Sequence, residues 1–328
     1  MGKTLVSVVV PLYNKKKTVL RALTSIIGQK YTNLEVIVVD DGSTDGGGEV
    51  VANVGDPRIR LHRQENLGPG AARNFGTLVS SGSLITYLDA DDEWCESLIA
   101  TAVARLAEHR NCDVFTSNFR LGEAGGSRWA RLTEAPRVEG PSRLDASWAK
   151  DEIVSCLVDF HSCSAVYRRD VVLAHGGFFE EDHCTFGEDV YLWIKIRLHH
   201  AIYRHAETLA YYHMEDSELG VGGRKSALPL EPVFTHTNTV RQSCPAELKG
   251  TFDIWLGKHA LRAGFLHLRD GRADLLDYLM HNIPEMQLWP TEYWHLRAKR
   301  TVPALWMLKD RCQKFVGTAF GSGAGALK

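Results

Sequence analysis

The sequence predicts an α/β fold of the doubly wound type: a mostly parallel sheet flanked by helices, followed by a smaller helical C-terminal region. Three observations predict it. Short apolar runs rich in β-branched residues alternate with segments of helical spacing through the first half of the chain. Several of those runs stop abruptly in clusters of polar residues, as strands do at the ligand-binding edge of an open α/β sheet. From about residue 225 onward the pattern is helical, broken at Pro245, Pro284 and Pro290.

Residues 5–10 are a short, β-branched apolar run of the buried parallel-strand type. Residues 19–27 have helical spacing and end near Gly28, and 34–39 form a second strand that stops at Asp40-Asp41-Gly42-Ser43. A short helix over 49–54, a short strand over 59–61 and a helix over 70–78 follow. A strand over 84–88, a helix over 96–107 and a strand over 113–117 complete the regular alternation. Residues 119–150, rich in Gly, Arg, Ser and Pro with Trp129 and Trp148 among them, read as a long functional loop. Order returns as a strand over 164–167 and as a helix over 190–198 that opens at Asp189. The expected boundaries are 1–222 for the α/β domain, divided at 118/119, and 223–328 for the helical region.

Composition excludes several classes. A chain of 328 residues, 44% hydrophobic and 24% charged, is ordinary for a globular protein. A net charge of −2 gives no field to draw it to nucleic acid, so none is expected as a partner. Seven cysteines with no Cys-x-x-Cys pair fit reduced thiols in a cytoplasm rather than a disulfide framework. The N-terminal apolar stretch is short, lacks a cleavage site and runs into Lys15, Lys16 and Lys17, so it is not read as a signal peptide. No stretch approaches the ~20 apolar residues that span a bilayer.

The chemistry gathers at the strand ends. The first ends in Pro11-Leu12-Tyr13-Asn14, the second in Asp40-Asp41-Gly42-Ser43, and another in Asp89-Ala90-Asp91-Asp92. Between them ENLGPGAARN, residues 65–74, is a glycine-rich entry into a helix, where backbone can approach an anion closely. There is no GxxxxGK[ST], and Arg73 stands where a dinucleotide fingerprint needs its third glycine. Three neighbouring carboxylates repel one another unless a cation lies among them. Mg²⁺ and Mn²⁺ prefer such oxygens and are often held by one or two carboxylates together with substrate phosphates. A plain turn after a strand is the bland alternative.

Taken in order and spacing, VSVVVPLYN, EVIVVDDGSTD, ENLGPGAARN and ITYLDADDEW resemble the nucleotide-sugar half of family-2 glycosyltransferases of the GT-A fold. The resemblance is strong over about the first third and thinner to about residue 215. It implies a metal-dependent, inverting enzyme whose catalytic domain is 1–222, with 1–118 binding the nucleotide-sugar and 119–222 the acceptor. It places Tyr13 against the nucleobase, typically uracil, with Pro11 shaping the strand end and Asp41 accepting a hydrogen bond from the base. Arg73 would face the donor's phosphate or sugar, Asp89 would meet ribose or sugar, and Asp91 would hold Mn²⁺ or Mg²⁺. Gly187-Glu188-Asp189 before an aromatic-rich helix is similar to the family's acceptor-side motif, which makes Asp189 the expected base and Glu188 its alternate. Acids in a first helical turn also complement the helix dipole without any catalytic role.

The expected partners are a UDP-sugar donor and a glycan or lipid-linked saccharide acceptor. One departure stands out: where relatives carry a Tyr-Arg-x-His-type segment, this chain has YYHMEDSELG, with His213 and Glu215 at the basic places. His213 is read chiefly as an ordinary strand-end histidine, and Trp94 and Trp193 as core side chains rather than sugar platforms. Residues 303–316 form a basic amphipathic pattern that suits packing first and contact with the inner membrane face second. Two alternatives stay open: a non-catalytic nucleotide-sugar binder of the same fold and, less favoured, a sugar nucleotidyltransferase.

Overall fold

The computed structural model describes residues 4–121, 139–156, 161–213, 216 and 227–301. The first part runs β1 (Val6–Leu12), α1 (Val19–Ile27), β2 (Leu34–Asp40), α2 (Gly47–Ala52), β3 (Ile59–Arg63), α3 (Pro69–Val79) and β4 (Leu84–Tyr87). Next come β5 (Glu93–Trp94), α4 (Leu98–Glu108), β6 (Val114–Leu121), β7 (Gly140–Ser142), α5 (Lys150–Cys156), β8 (Ala165–Arg168), α6 (Arg169–Ala174), α7 (Glu188–His199) and β9 (Ile202–Tyr212). Helices follow: α8 (Pro232–Thr235), α9 (Thr237–Ser243), α10 (Lys249–Arg269), α11 (Ala273–Asn282) and α12 (Pro290–Thr301).

The strands form one sheet in the order β3-β2-β1-β4-β8-β6-β9-β5, with β7 also paired to β9. Strands β3, β2, β1 and β4 are parallel neighbours, as the alternation of strand-like and helix-like segments predicts. Beyond β4 the sheet is mixed, because β8 enters antiparallel between β4 and β6 while β6 and β9 remain parallel. Both faces are covered. Val6, Val8, Val10 and Leu12 of β1 pack with Leu23 and Ile26 of α1 and Ile99 of α4. Val9 turns the other way, toward Ala72 of α3 and Leu192 and Ile196 of α7. That alternation is the period-2 geometry of a strand between two helical layers.

The chain forms two compact units, residues 1–255 and 256–328. Within the first unit Val233, Phe234 and Val240 are buried, and the His236 ring lies tilted 4.8 Å from the Phe179 ring. The second unit is helical among its described residues. A Cβ at Gly264 would come within 2.8 Å of Leu296 and 3.0 Å of Leu276, so the missing side chain permits α10, α11 and α12 to approach closely.

Candidate active site

Strands β1 and β2 finish level, with Leu12 opposite Asp40. The chain beyond them is laced together by the Asn14 and Lys16 backbone N–H groups, which donate to Ser43 Oγ (3.0 Å) and Asp45 Oδ2 (2.8 Å). Asn14 itself adopts φ 52°, a left-handed conformation that Asn tolerates. Pro11 lies within β1 without breaking it. The β1–β4 register ends at the Val9–Tyr87 pair, so the side of Pro11 that lacks an N–H faces past the end of β4. Tyr13 is 46% exposed, a large aromatic ring open to solvent at this edge.

Asp41 is buried and held by three donors. Its carboxylate accepts from Gln64 Nε2 (2.8 Å), Leu67 N (2.9 Å) and Gly68 N (2.9 Å), tying the glycine-rich turn to the end of β2. Gly68 takes φ 95°, which a side chain would strain. A Cβ at Gly70, in the first turn of α3, would overlap the Phe179 carbonyl oxygen just ahead of α7. Gly70→Ala should therefore destabilise the fold by about 1–3 kcal/mol, read as a drop in thermal midpoint.

That close approach brings Arg73 of α3 to the first turn of α7. Arg73 is buried and donates to Asp89 Oδ1 (2.6 Å) on one side and Glu188 Oε1 (2.8 Å) on the other. Burial opposes its charge, but the carboxylates of Asp89, Glu188 and Asp189 outweigh it and raise its pKa. Glu188, the alternate base, is committed to this ion pair. Asp189 carries a different burden: burial first and the Glu188 charge second push its pKa up to about 8, against the opposing pull of Arg73. Its Oδ1 accepts a hydrogen bond from the Val190 N–H at 2.7 Å. A carboxylate held at a helix start with a pKa near the working range suits proton transfer.

The acidic turn divides its three carboxylates among three environments. Asp89 pairs with Arg73. Asp91 is buried and ion-paired at 2.9 Å with Lys15 Nζ, which also donates to the Asp216 carbonyl at 2.5 Å. Arg21 holds the same place through the Asp91 carbonyl oxygen and Asp216 Oδ2. Burial and the Asp89 charge raise the Asp91 pKa, and Lys15 opposes the rise. Asp92 is fully buried, and burial with the charges of Asp91 and Asp89 raises its pKa strongly.

This donor set fits a hard dication. Asp91 offers carboxylate oxygen in a place already compensated by a cationic side chain, and Asp89 is its neighbour on the same turn. Lys15 must yield Asp91 for a metal to use it. Lys15→Met should consequently tighten Mn²⁺ binding about tenfold or more, since a charge-assisted hydrogen bond of about 1.5–3 kcal/mol no longer has to be displaced. Titration of the Mn²⁺ electron paramagnetic resonance signal measures this, and unchanged affinity would remove Lys15 from the account.

His213 makes local contacts: its N–H donates to Asp92 Oδ1 (3.1 Å) and its Nε2 lies 3.5 Å from Glu93. Trp94 is buried and donates to the Cys163 carbonyl at 2.5 Å, and Trp193 is buried as well, so both are core side chains. Glu215 and residues 303–316 lie outside the described residues. No local sequence pattern ties Lys15 or Arg21 to the acidic turn, which lies some 70 residues further on. For Lys15 the sequence signal is the basic run 15–17 directly after the first strand end, and Arg21 lies outside that run, within α1.

Fold and site together define a GT-A type glycosyltransferase framework. The profile of Glycosyl transferase family 2 matches residues 7–175, and the chain belongs to that family. It is 42% identical over 133 residues to glycosyltransferase GlyG of Streptococcus pneumoniae, covering 39% of this chain and 44% of GlyG. It is 32% identical over 178 residues to the uncharacterized glycosyltransferase YibD of Escherichia coli, covering 51% and 49%. The chain thus spans about half the length, or less, of these curated relatives. Among solved structures, Staphylococcus aureus TarS 1–349 in complex with UDP-GlcNAc superposes with a TM-score of 0.56 at 20% identity, covering 88% of this chain and 91% of that one. The mannosyltransferase PcManGT from Pyrobaculum calidifontis, in complex with GDP-Man and Mn²⁺, gives 0.53 at 18% identity over 98% and 89%. No helix among the described residues is long and apolar enough to cross a membrane.

Proposed function

We propose that this chain is an inverting glycosyltransferase that moves a sugar from a nucleotide-sugar, UDP-linked by preference, to a hydroxyl of a glycan or lipid-linked saccharide acceptor. The observation that carries the reading is the Arg73 bridge. One buried guanidinium joins Asp89, at the donor end of the sheet, to Glu188, the neighbour of Asp189. A donor's anomeric carbon and an acceptor's hydroxyl would meet where those two motifs converge. The complexes of TarS with UDP-GlcNAc and of PcManGT with GDP-Man support a nucleotide-sugar as donor class.

Tyr13 would stack on the base, and Asp41 would shape the adjoining turn, leaving base recognition to its remaining lone pairs. Asp189 would accept the proton of the incoming hydroxyl as that oxygen attacks the anomeric carbon from the face opposite the departing diphosphate. Arg73 would keep the carboxylates around that point oriented. Asp91, with Asp89 beside it, would hold Mn²⁺ or Mg²⁺, which when bound neutralises charge on the diphosphate. No covalent enzyme intermediate is needed.

A donor panel of UDP- and GDP-sugars with Mn²⁺ or Mg²⁺ tests this, following nucleoside diphosphate release with and without candidate acceptors. Metal-dependent diphosphate release is expected. Binding without release across the panel would favour a non-catalytic binder, and pyrophosphate-dependent chemistry would favour a nucleotidyltransferase.

A further inference from the structure

One residue beyond Asp91, Asp92 points into the core. It is fully buried; its Oδ1 accepts the His213 N–H, its carboxylate lies against the Cys163 thiol, and among the described residues no nitrogen or oxygen donor reaches its Oδ2. Buried polar atoms are satisfied in the great majority of cases, and a thiol, a weak donor, is a poor partner for a carboxylate at zero exposure. The groups grouped with it are chemically distinct from the rest of the acidic turn. They are the Cys163 thiol, also fully buried, and the partly exposed His161 imidazole, and one ligand atom from each of the three lies within 4.8 Å of the others.

The geometry of the pair is already directed. His161 Nδ1 is 3.0 Å from Cys163 Sγ and accepts from the Cys163 N–H at 3.4 Å, so its lone pair faces the cluster. The supporting contacts are specific. The His161 ring packs against Phe119 and Tyr212 at centroid distances of 4.7 and 4.6 Å, and Trp94 Nε1 fixes the Cys163 carbonyl. One carboxylate, one thiol and one imidazole make a mixed O, S, N donor set. That set suits a borderline-soft dication such as Zn²⁺ and is foreign to Mg²⁺ or Mn²⁺, which prefer all-oxygen sites.

We propose that Asp92, His161 and Cys163 form a second cation site, specific for Zn²⁺-like ions, behind the carboxylates that face the donor. The three side chains supply a carboxylate oxygen, a thiolate and an imidazole nitrogen, and the fourth tetrahedral position is open to water. Binding releases the thiol proton to solvent as the sulfur–metal bond forms. The nitrogen and sulfur need to part to about 3.5 Å, the separation set by tetrahedral bonds of about 2.0 and 2.3 Å, a small side-chain rotation. An ion here ties the residue after Asp91 to the turn that leads into β8, and so braces the acidic turn from within. The simpler possibility is a neutral acid–thiol contact with no ion, and it predicts no thiolate–metal bond.

The test uses the full chain, stripped with a chelator and titrated with Co²⁺ as a spectroscopic stand-in for Zn²⁺. A thiolate-to-cobalt charge-transfer band with d–d bands of tetrahedral intensity is expected, displaced by Zn²⁺ and unaffected by Mn²⁺. Cys163→Ser and His161→Gln should each abolish the band, while Asp91→Asn should keep it. His161 is partly exposed, so its variant remains informative even where Cys163→Ser folds poorly. No thiolate band in the parent chain, or a band that survives both variants, overturns the site. So does a band lost in Asp91→Asn, which would assign the metal to the outward-facing carboxylates.

Discussion

Asp189→Asn should reduce transfer by about 10²–10⁴-fold in kcat while leaving nucleotide-sugar affinity essentially intact, because only the proton acceptor is lost. The isosteric amide can still accept the Val190 N–H. The same substitution should change stability in the opposite direction. The folded state holds the Asp189 proton up to about pH 8, whereas an unfolded aspartate releases it near 3.9. Between those values the folded state binds more protons than the unfolded state, so stability falls as pH rises through that window. Asparagine removes the burden. The variant should therefore melt several degrees above the parent at pH 8, with the gap narrowing toward pH 5. In the parent enzyme, kcat/KM should climb as pH passes through about 8, since the base works only when ionised. Scanning calorimetry and a pH–rate profile check the two signs independently, and near-normal transfer by the variant would sink the assignment.

Arg73→Met carries the second large effect. It strands Asp89 and Glu188, the second of them deeply buried, without their shared cation. Breaking a buried pair by removing one partner costs about 3–5 kcal/mol, which lowers the thermal midpoint by roughly 10 °C in a domain of this size. Transfer should be lost as well, because the carboxylates around the reacting centre lose their common anchor. Adding Glu188→Gln to Arg73→Met should recover part of the stability and none of the turnover. A double-mutant cycle over these positions reports their coupling directly. Additive effects would show that Arg73 and Glu188 act separately.

What the sequence made legible follows from how each feature is encoded. Strands β1, β2 and β4 are predominantly apolar, with single polar residues at Ser7, Glu35 and Thr86 inside them, because helices cover them on both faces, so composition exposes them. Strand β9 is hidden by contrast, since Arg204, His205, Glu207 and Thr208 interrupt its apolar residues, and its pairing to β6 is irregular around Asn118. The antiparallel entry of β8 is a tertiary choice that no local pattern announces. Much the same holds for the site. Asp41, Arg73, Asp89, Asp91 and Asp189 are findable as polar residues at strand ends and helix starts. Their mutual arrangement is not: the Arg73–Glu188 bond joins residues 115 apart in sequence. Asp92, which looks like one more turn aspartate, proves to be wholly inside. Lys15 reads as one of three equivalent lysines until the fold sets it on Asp91.

The most direct measurement of the central claim needs no knowledge of the acceptor. Nuclear magnetic resonance can follow the slow hydrolysis of an α-linked UDP-sugar by the protein, with water in the acceptor's place, and identify the anomer released first. Direct displacement by an oxygen deprotonated at Asp189 yields the β-anomer first, and the signal vanishes in Asp189→Asn. Release of the α-anomer first, or hydrolysis indifferent to Asp189, would contradict single-displacement transfer at this site.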